Sequence, residues 1–201
     1  MMTSTNPTNL KILTTDPKVG DLSDTPYAMI ALQKEVFVMT RVFFDMDGGL
    51  AEYRQVPLEE YLRKGYFAEL APRAEALQAL ADLAQDPRYE VHTLSAVFAE
   101  NPYAEGEKRE WLQRHLPEQA LRNLTSLFCF CGESKADAVP GGVRPTDILI
   151  DDHNANLLDW QRQGIAIKML NGINDRHGSW KGLRAGGSSR EILETISRAA
   201  G

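Results

Sequence analysis

The chain predicts a doubly wound parallel α/β fold: one domain with a short insert after its first strand. Three observations carry this prediction. Short apolar runs alternate with segments of helical period, the pattern of a parallel sheet covered by helices. Several runs stop at polar residues: Asp45 and Asp47 after the first, Ser95 after the second, Asp151 and Asp152 after the fourth. Ligands of such sheets sit beyond the carboxyl ends of the strands, so three separate segments would bring polar groups to one edge. The length of 201 residues, with 43% hydrophobic and 25% charged content, suits a single globular domain.

Taken in order, residues 1–24 are rich in Thr, Asn, Pro and Asp and read as a loose tail, and residues 28–38 read as a short helix or strand. We expect residues 1–38 to be a loosely ordered appendage to a domain spanning 39–201, with Met39 a second candidate start. Val42-Phe43-Phe44 is the first strand, short and apolar as a buried strand requires. It stops at Asp45-Met46-Asp47, and Gly48-Gly49 turns the chain sharply. Residues 52–70 form the insert, with one short helix on Leu58, Tyr61 and Leu62 ended by Gly65. Pro72 opens a helix whose Leu77, Leu80, Ala81 and Ala84 make one apolar stripe. Tyr89–Ser95 is the second strand, and Asn101-Pro102 starts a helix carrying Trp111 and Leu112. The third strand is Leu127–Cys131 and the fourth Asp147–Asp151. A helix over 156–163 stops at Gly164, a fifth strand runs from Ile165 to Leu170, and a helix over 191–199 closes the chain.

Composition narrows the function. No apolar run approaches the ~18 residues of a membrane span, and the N-terminus lacks a basic-then-apolar leader pattern. Cys129 and Cys131 are too close for a framework disulfide and lack partners for a zinc site, so a reduced cytoplasm is the expected home. A net charge of −6 without a basic block argues against a dedicated nucleic-acid binder, though not against a small phosphorylated substrate.

Two carboxylates two residues apart behind a buried strand are costly unless something uses them. Asp45 and Asp47 as mere turn caps, or Asp151 and Asp152 as acids at a helix start, are the plainer readings of each pair. Two such pairs on different strands favour a cation. Mg²⁺, which takes oxygen ligands, would bridge Asp45, Asp152 and a phosphate oxygen. Asp45 would attack phosphorus to give an aspartyl-phosphate, and Asp47 would protonate the leaving alkoxide and later activate water. Ser95 would donate one hydrogen bond to the phosphate. The cation this chemistry needs is best supplied by Lys135, which follows the third strand; Lys108 is its rival and reads more simply as part of a solvated helix face. His92, inside a strand, reads as a packed or surface residue rather than a ligand. The polar loop 171–180 falls on the same edge as the acids, and Arg176 or His177 in it could reach substrate or simply face solvent.

Asp45-Met-Asp-Gly-Gly-Leu-Ala51 resembles the first motif of the haloacid dehalogenase-like phosphohydrolases, with Ser95, Lys135 and Asp151-Asp152 in the places of the other three. More narrowly, that motif, Asn101-Pro-Tyr103 before Lys108-x-x-Trp111, and Asp147-Ile-Leu-Ile-Asp-Asp152 look like the 5'(3')-deoxyribonucleotidase, or type C pyrimidine nucleotidase, branch. The resemblance implies a Rossmann-like core and a Mg²⁺-dependent nucleotidase. It implies Asp45 as nucleophile and Asp47 as acid/base, with Asp45, the Asp47 carbonyl and Asp152 as metal ligands. Asp151 and Gly48 would support the site, and Ser95 and Lys135 would hold the phosphate. Tyr53 occupies the place of an aromatic near the nucleobase; plain packing of the insert explains it equally well.

Two departures matter. Position 49 is Gly where the superfamily usually has Thr or Val, which adds backbone freedom and suggests a looser loop that a larger residue would tighten. The insert is also much shorter than the helical cap of the branch, which relaxes base selectivity and leaves room for a homodimer. Sugar phosphates or other small phosphate esters are the alternative substrates, and a non-catalytic phospholigand-binding module is the alternative of another class.

Overall fold

The computed structural model describes residues 39–174, 178 and 180–201; the expected appendage over 1–38 and the loop residues Arg176 and His177 lie outside the described residues. Six strands form one sheet: β1 (Thr40–Phe44), β2 (Tyr89–Val97), β3 (Leu124–Phe130), β4 (Ile148–Asp151), β5 (Ile165–Met169) and β6 (Leu183–Ala185). Their order is β3-β2-β1-β4-β5-β6, and every neighbouring pair is parallel. The chain winds outward from β1 to β3, then returns to the other side of β1 with β4. The switch point therefore lies between β1 and β4, the two strands that end in acid.

Alternation along the strands sorts the core into two layers. Val42, Phe44, Ile148, Ile150, Ile167 and Met169 face helices α2 (Ala74–Leu83), α3 (Ala104–His115), α4 (Glu118–Arg122) and α6 (Ser189–Ala200). Phe43, Leu94, Leu149 and Ala166 face Trp180 and helix α5 (Asn154–Trp160) through Leu157 and Trp160. The predicted stripe of α2 is buried as a unit. Helix α6 starts on a capping box, Ser188 with Glu191, and buries Ile192, Thr195 and Ile196 at helical spacing. His92 packs as expected: it stacks on Phe43 with ring centroids 4.7 Å apart, and burial pushes its imidazole below the usual range.

The sequence did not foretell β6, helix α4 or the 3₁₀ turn Lys135–Ala138. Each has three to five residues, too few to show a period. Strand β3 also starts at Leu124 rather than Leu127, because Leu124, Thr125 and Ser126 pair in register with Val91, His92 and Thr93.

The insert over 52–70 holds the one-turn helix α1 (Leu58–Tyr61) and a 3₁₀ turn, Phe67–Glu69. Helix α3 and its approach tie it down. Glu107 accepts from the backbone N–H groups of Gly65 (2.5 Å) and Phe67 (3.2 Å). Trp111 donates to the Leu70 carbonyl, Arg114 to that of Ala68 and Asn101 to that of Tyr61, each at 2.7 Å. Tyr61, Tyr66 and Phe67 pack edge to face beneath. The insert is thus a platform fixed on α3.

At the opposite pole, Arg41 and Asp147 form a buried ion pair. Arg41 Nε and Nη2 donate to the two Asp147 oxygens at 3.0 and 2.5 Å, and Asp147 is fully buried. Removing one partner strands a buried charge, which costs about 3–5 kcal/mol. Asp147→Ala is expected to lower Tm by roughly 10 °C in thermal unfolding; a shift of a degree or two would mean that Arg41 finds enough compensation in the carbonyls of Pro140 and Gly142, its other acceptors.

Candidate active site

The site starts from strand geometry. Asp45 follows β1 directly, and its backbone N–H donates to the Ile150 carbonyl of β4 at 2.9 Å. Asp151 ends β4 and Asp152 follows it. Because β1 and β4 are neighbours, the carboxylates of Asp45, Asp151 and Asp152 converge, with one oxygen of each within 4.8 Å of the others. Asp45 and Asp151 are buried and Asp152 is half-buried.

Concentrated negative charge needs compensation, and Lys135 supplies part of it. Ser134 caps the 3₁₀ turn that begins at Lys135, accepting from the Ala136 N–H. That turn aims the buried Lys135 Nζ between Asp45 (2.7 Å) and Asp151 (2.6 Å). Burial opposes the ammonium, but the two carboxylates outweigh it and raise the Lys135 pKa. Asp151 also accepts from the His153 N–H (2.7 Å) and the Asn156 amide (2.9 Å), so it is well satisfied. Asp45 and Asp152 are compensated less. Burial, with repulsion from neighbouring acids and only partial relief from Lys135, pushes Asp45 up to about 7 and Asp152 up to about 8.

An all-oxygen donor set with such elevated pKa values suits a hard divalent cation. The residues therefore fit the Mg²⁺ that the motif implies. The glycines shape the same space. Gly48 has φ +81°, and a Cβ there would fall on the Asp152 carboxylate. A Cβ at Gly49 would fall on the Asp45 carbonyl oxygen. The expectation of a loose loop is therefore corrected: Gly49 is where β1's end and the turn approach too closely for a side chain. Arg73 stiffens the turn from outside, donating to the Gly48 (2.8 Å) and Gly49 (3.2 Å) carbonyls and, across the site, to Leu170 (2.8 Å).

Lys108 is not on a solvated helix face. It is fully buried, with Nζ 2.6 Å from Asp47 Oδ2, 2.6 Å from Ser95 Oγ and 2.8 Å from the Ala96 carbonyl. The signal was in the sequence: Lys108 precedes Trp111 and Leu112 by three and four residues, so it shares their apolar stripe. The structure thus gathers Asp45, Asp47, Ser95, Lys135, Asp151 and Asp152 at one sheet edge, and adds Lys108, Arg73 and Asn171. The Asn171 amide donates to Asp152 Oδ2 at 2.8 Å, and that of Asn174 to the Asp152 carbonyl at 3.1 Å, so the loop after β5 does serve the acids.

Tyr53 stands apart from the acids. It is partly exposed and lines a cavity of about 310 Å³ shared with Arg73, Asn171 and Ile173. A larger cavity of about 510 Å³ opens beside Lys135, lined also by Cys131, Glu133, His153, Asn156 and Asp159. Cys129 and Cys131 are free thiols, and no described helix is long and apolar enough to cross a membrane.

No curated protein matches the chain. Among solved structures it is similar to a candidate HAD-like phosphatase from Mesorhizobium loti (12% identity, TM-score 0.48, 81% of this chain and 86% of that one). It is also similar to the HAD domain of effector protein Lem4 from Legionella pneumophila, an inactive mutant (14%, 0.42, 67% and 87%). A third is the Legionella pneumophila effector Ceg4 (9%, 0.43, 80% and 92%). The family model for the 5' nucleotidase, deoxy (pyrimidine), cytosolic type C protein matches residues 52–186, about two thirds of the chain. That stretch holds Ser95, Lys108, Lys135 and the Asp151-Asp152 pair just described, and the chain is a phosphoric monoester hydrolase belonging to the cytosolic type C 5' nucleotidase family.

Proposed function

We propose that the protein is a Mg²⁺-dependent 5'-nucleotidase of (deoxy)nucleoside monophosphates that works through an aspartyl-phosphate on Asp45. The observation that carries this reading is the convergence of three carboxylates from β1 and β4 with Lys135 seated between two of them. Asp45, Asp152 and the Asp47 carbonyl would hold the cation, which when bound offsets the repulsion between a carboxylate nucleophile and a phosphate dianion.

An Asp45 oxygen attacks phosphorus, forming the acyl-phosphate bond as the ester P–O bond breaks. Asp47 gives its proton to the leaving alkoxide, then takes one from the water that cleaves the acyl-phosphate and restores Asp45. Ser95 and Lys135 hold the phosphoryl oxygens. Lys135 carries three donors and spends two on Asp45 and Asp151, which leaves one for substrate. Asp151 orients Lys135, and Gly48 leaves room for Asp152. Tyr53, which lines the smaller cavity beside Arg73 and Asn171, would pack against the base. With both thiols free, we place the enzyme in the reducing cytoplasm.

The lining of the larger cavity supports a second substrate reading. Among the described residues it offers Glu133, Asp159, Asn156 and Ser134 but no Phe, Tyr or Trp, which suits a small hydroxyl-rich ester such as a sugar phosphate. Phosphate release with Mg²⁺ from a panel of nucleoside, deoxynucleoside and sugar monophosphates separates the two. The expected result is preferential release from nucleoside monophosphates, abolished by chelator. Equal or faster release from sugar phosphates selects the second reading. A folded, Mg²⁺-binding protein that releases phosphate from nothing refutes both.

A further inference from the structure

Lys108 is spent entirely on the protein. An ammonium has three donors and no acceptor, and its three protons have three acceptors: Asp47 Oδ2, Ser95 Oγ and the Ala96 carbonyl. The Phe67 ring of the insert closes the remaining side, 4.5 Å from Nζ. Unlike Lys135, it has nothing left for a substrate.

Its partners are polarised as a result. Ser95 Oγ must accept from Lys108, so its own hydrogen is released to point elsewhere, and Ser95 donates to no acceptor among the described residues. Asp47 is divided in the same way: Oδ2 is taken by Lys108, while Oδ1 is shielded from solvent and has no hydrogen-bond partner among the described residues. Buried polar atoms without partners are rare and ask for a reason.

We propose that Lys108 is a positioning residue that sets hydrogen-bond direction at the site. It makes the Ser95 hydroxyl a donor to the substrate phosphate and leaves Asp47 Oδ1 as the oxygen that exchanges the proton. This rests on the phosphatase reading, yet its test does not need turnover. Without Lys108, the Ser95 hydrogen turns to Asp47, and Ser95 ceases to contribute to phosphate binding.

The measurement is a double-mutant cycle on the dissociation constant of inorganic phosphate, by calorimetry with Mg²⁺ present. Ser95→Ala should weaken phosphate about 10-fold in the wild-type background, as expected for a hydrogen bond to a charged group. In the Lys108→Met background it should weaken phosphate less than about 2-fold. Lys108→Gln gives a second background should the Met variant fail to fold, with the same non-additivity required. Equal Ser95→Ala effects in both backgrounds overturn the proposal, as does a wild-type protein that binds no phosphate. A wild type that binds phosphate with this coupling but releases none from any ester sinks the phosphatase reading and leaves the role of Lys108 standing.

Discussion

Asp45→Asn is expected to abolish phosphate release and leave the fold intact, with turnover falling about 10⁴-fold or more, as when a covalent nucleophile is removed. On the proposed mechanism an amide cannot form the acyl-phosphate, so the loss would be chemical rather than structural. Stability should move little, and the reason lies in the pKa. Burial and its acidic neighbours have already pushed Asp45 to about 7. In the metal-free protein ionising Asp45 therefore costs more than ionising a free carboxyl, and a neutral amide of the same shape relieves that repulsion. Lys135 keeps Asp151 as a partner. Thermal unfolding without metal should give a Tm equal to or above wild type. Substantial residual turnover in the variant would place the nucleophile elsewhere; a collapse in Tm would make Asp45 a structural residue first.

Gly49→Thr or Gly49→Val is expected to damage the enzyme, even though the superfamily motif commonly has those residues. A Cβ at 49 lands on the Asp45 carbonyl oxygen, which belongs to rigid backbone. Relief requires the turn to move, and the turn carries Asp47, Gly48 and the Arg73 contacts with it. Overpacking of this kind costs about 1–3 kcal/mol, and a shift of about 1 Å in a catalytic group costs on the order of 10²-fold in rate. The check is kcat/KM beside Tm for both variants. Unchanged or faster turnover would mean that the turn can adopt the wider path, and that Gly49 does loosen it.

The predicted sheet emerged because its strands carry their own signals. Val42-Phe43-Phe44 and Ile148-Leu149-Ile150 are apolar on both faces, as central parallel strands must be, and the acids beyond them mark the ligand edge. Five of the six strands could be found in this way. β6 could not: it is an edge strand of three residues with Leu183 and Arg184 exposed, so burial imposed no pattern on it. At the site, residues adjacent to strand ends were legible, and residues acting from a distance were not. Arg73 reaches the Gly48-Gly49 turn from the start of α2, and Asn171 reaches Asp152 from beyond β5; both depend on strand order, which no local pattern states. Lys108 was open to a better reading. A lysine in register with Trp111 and Leu112 breaks an apolar stripe, and a broken stripe asks what the charge is for. Gly49 misled in the opposite direction: a missing side chain suggests slack, whereas this one marks a close approach of backbone to backbone.

The insert, stapled to α3 through Glu107, Trp111 and Arg114 and to the approach to that helix through Asn101, bears on which acceptor the phosphoryl group can reach. Enzymes that pass this group to a second metabolite must keep water from an activated acyl-phosphate, and a closing lid is the common means. A platform moored to the core does not sweep over the mouth in that way. On the proposed mechanism solvent is the co-substrate of the second half-reaction, so an entrance that stays accessible would supply a reactant rather than admit a competitor. The mooring tilts the chemistry toward hydrolysis and away from transfer, before any contact with the leaving group is considered.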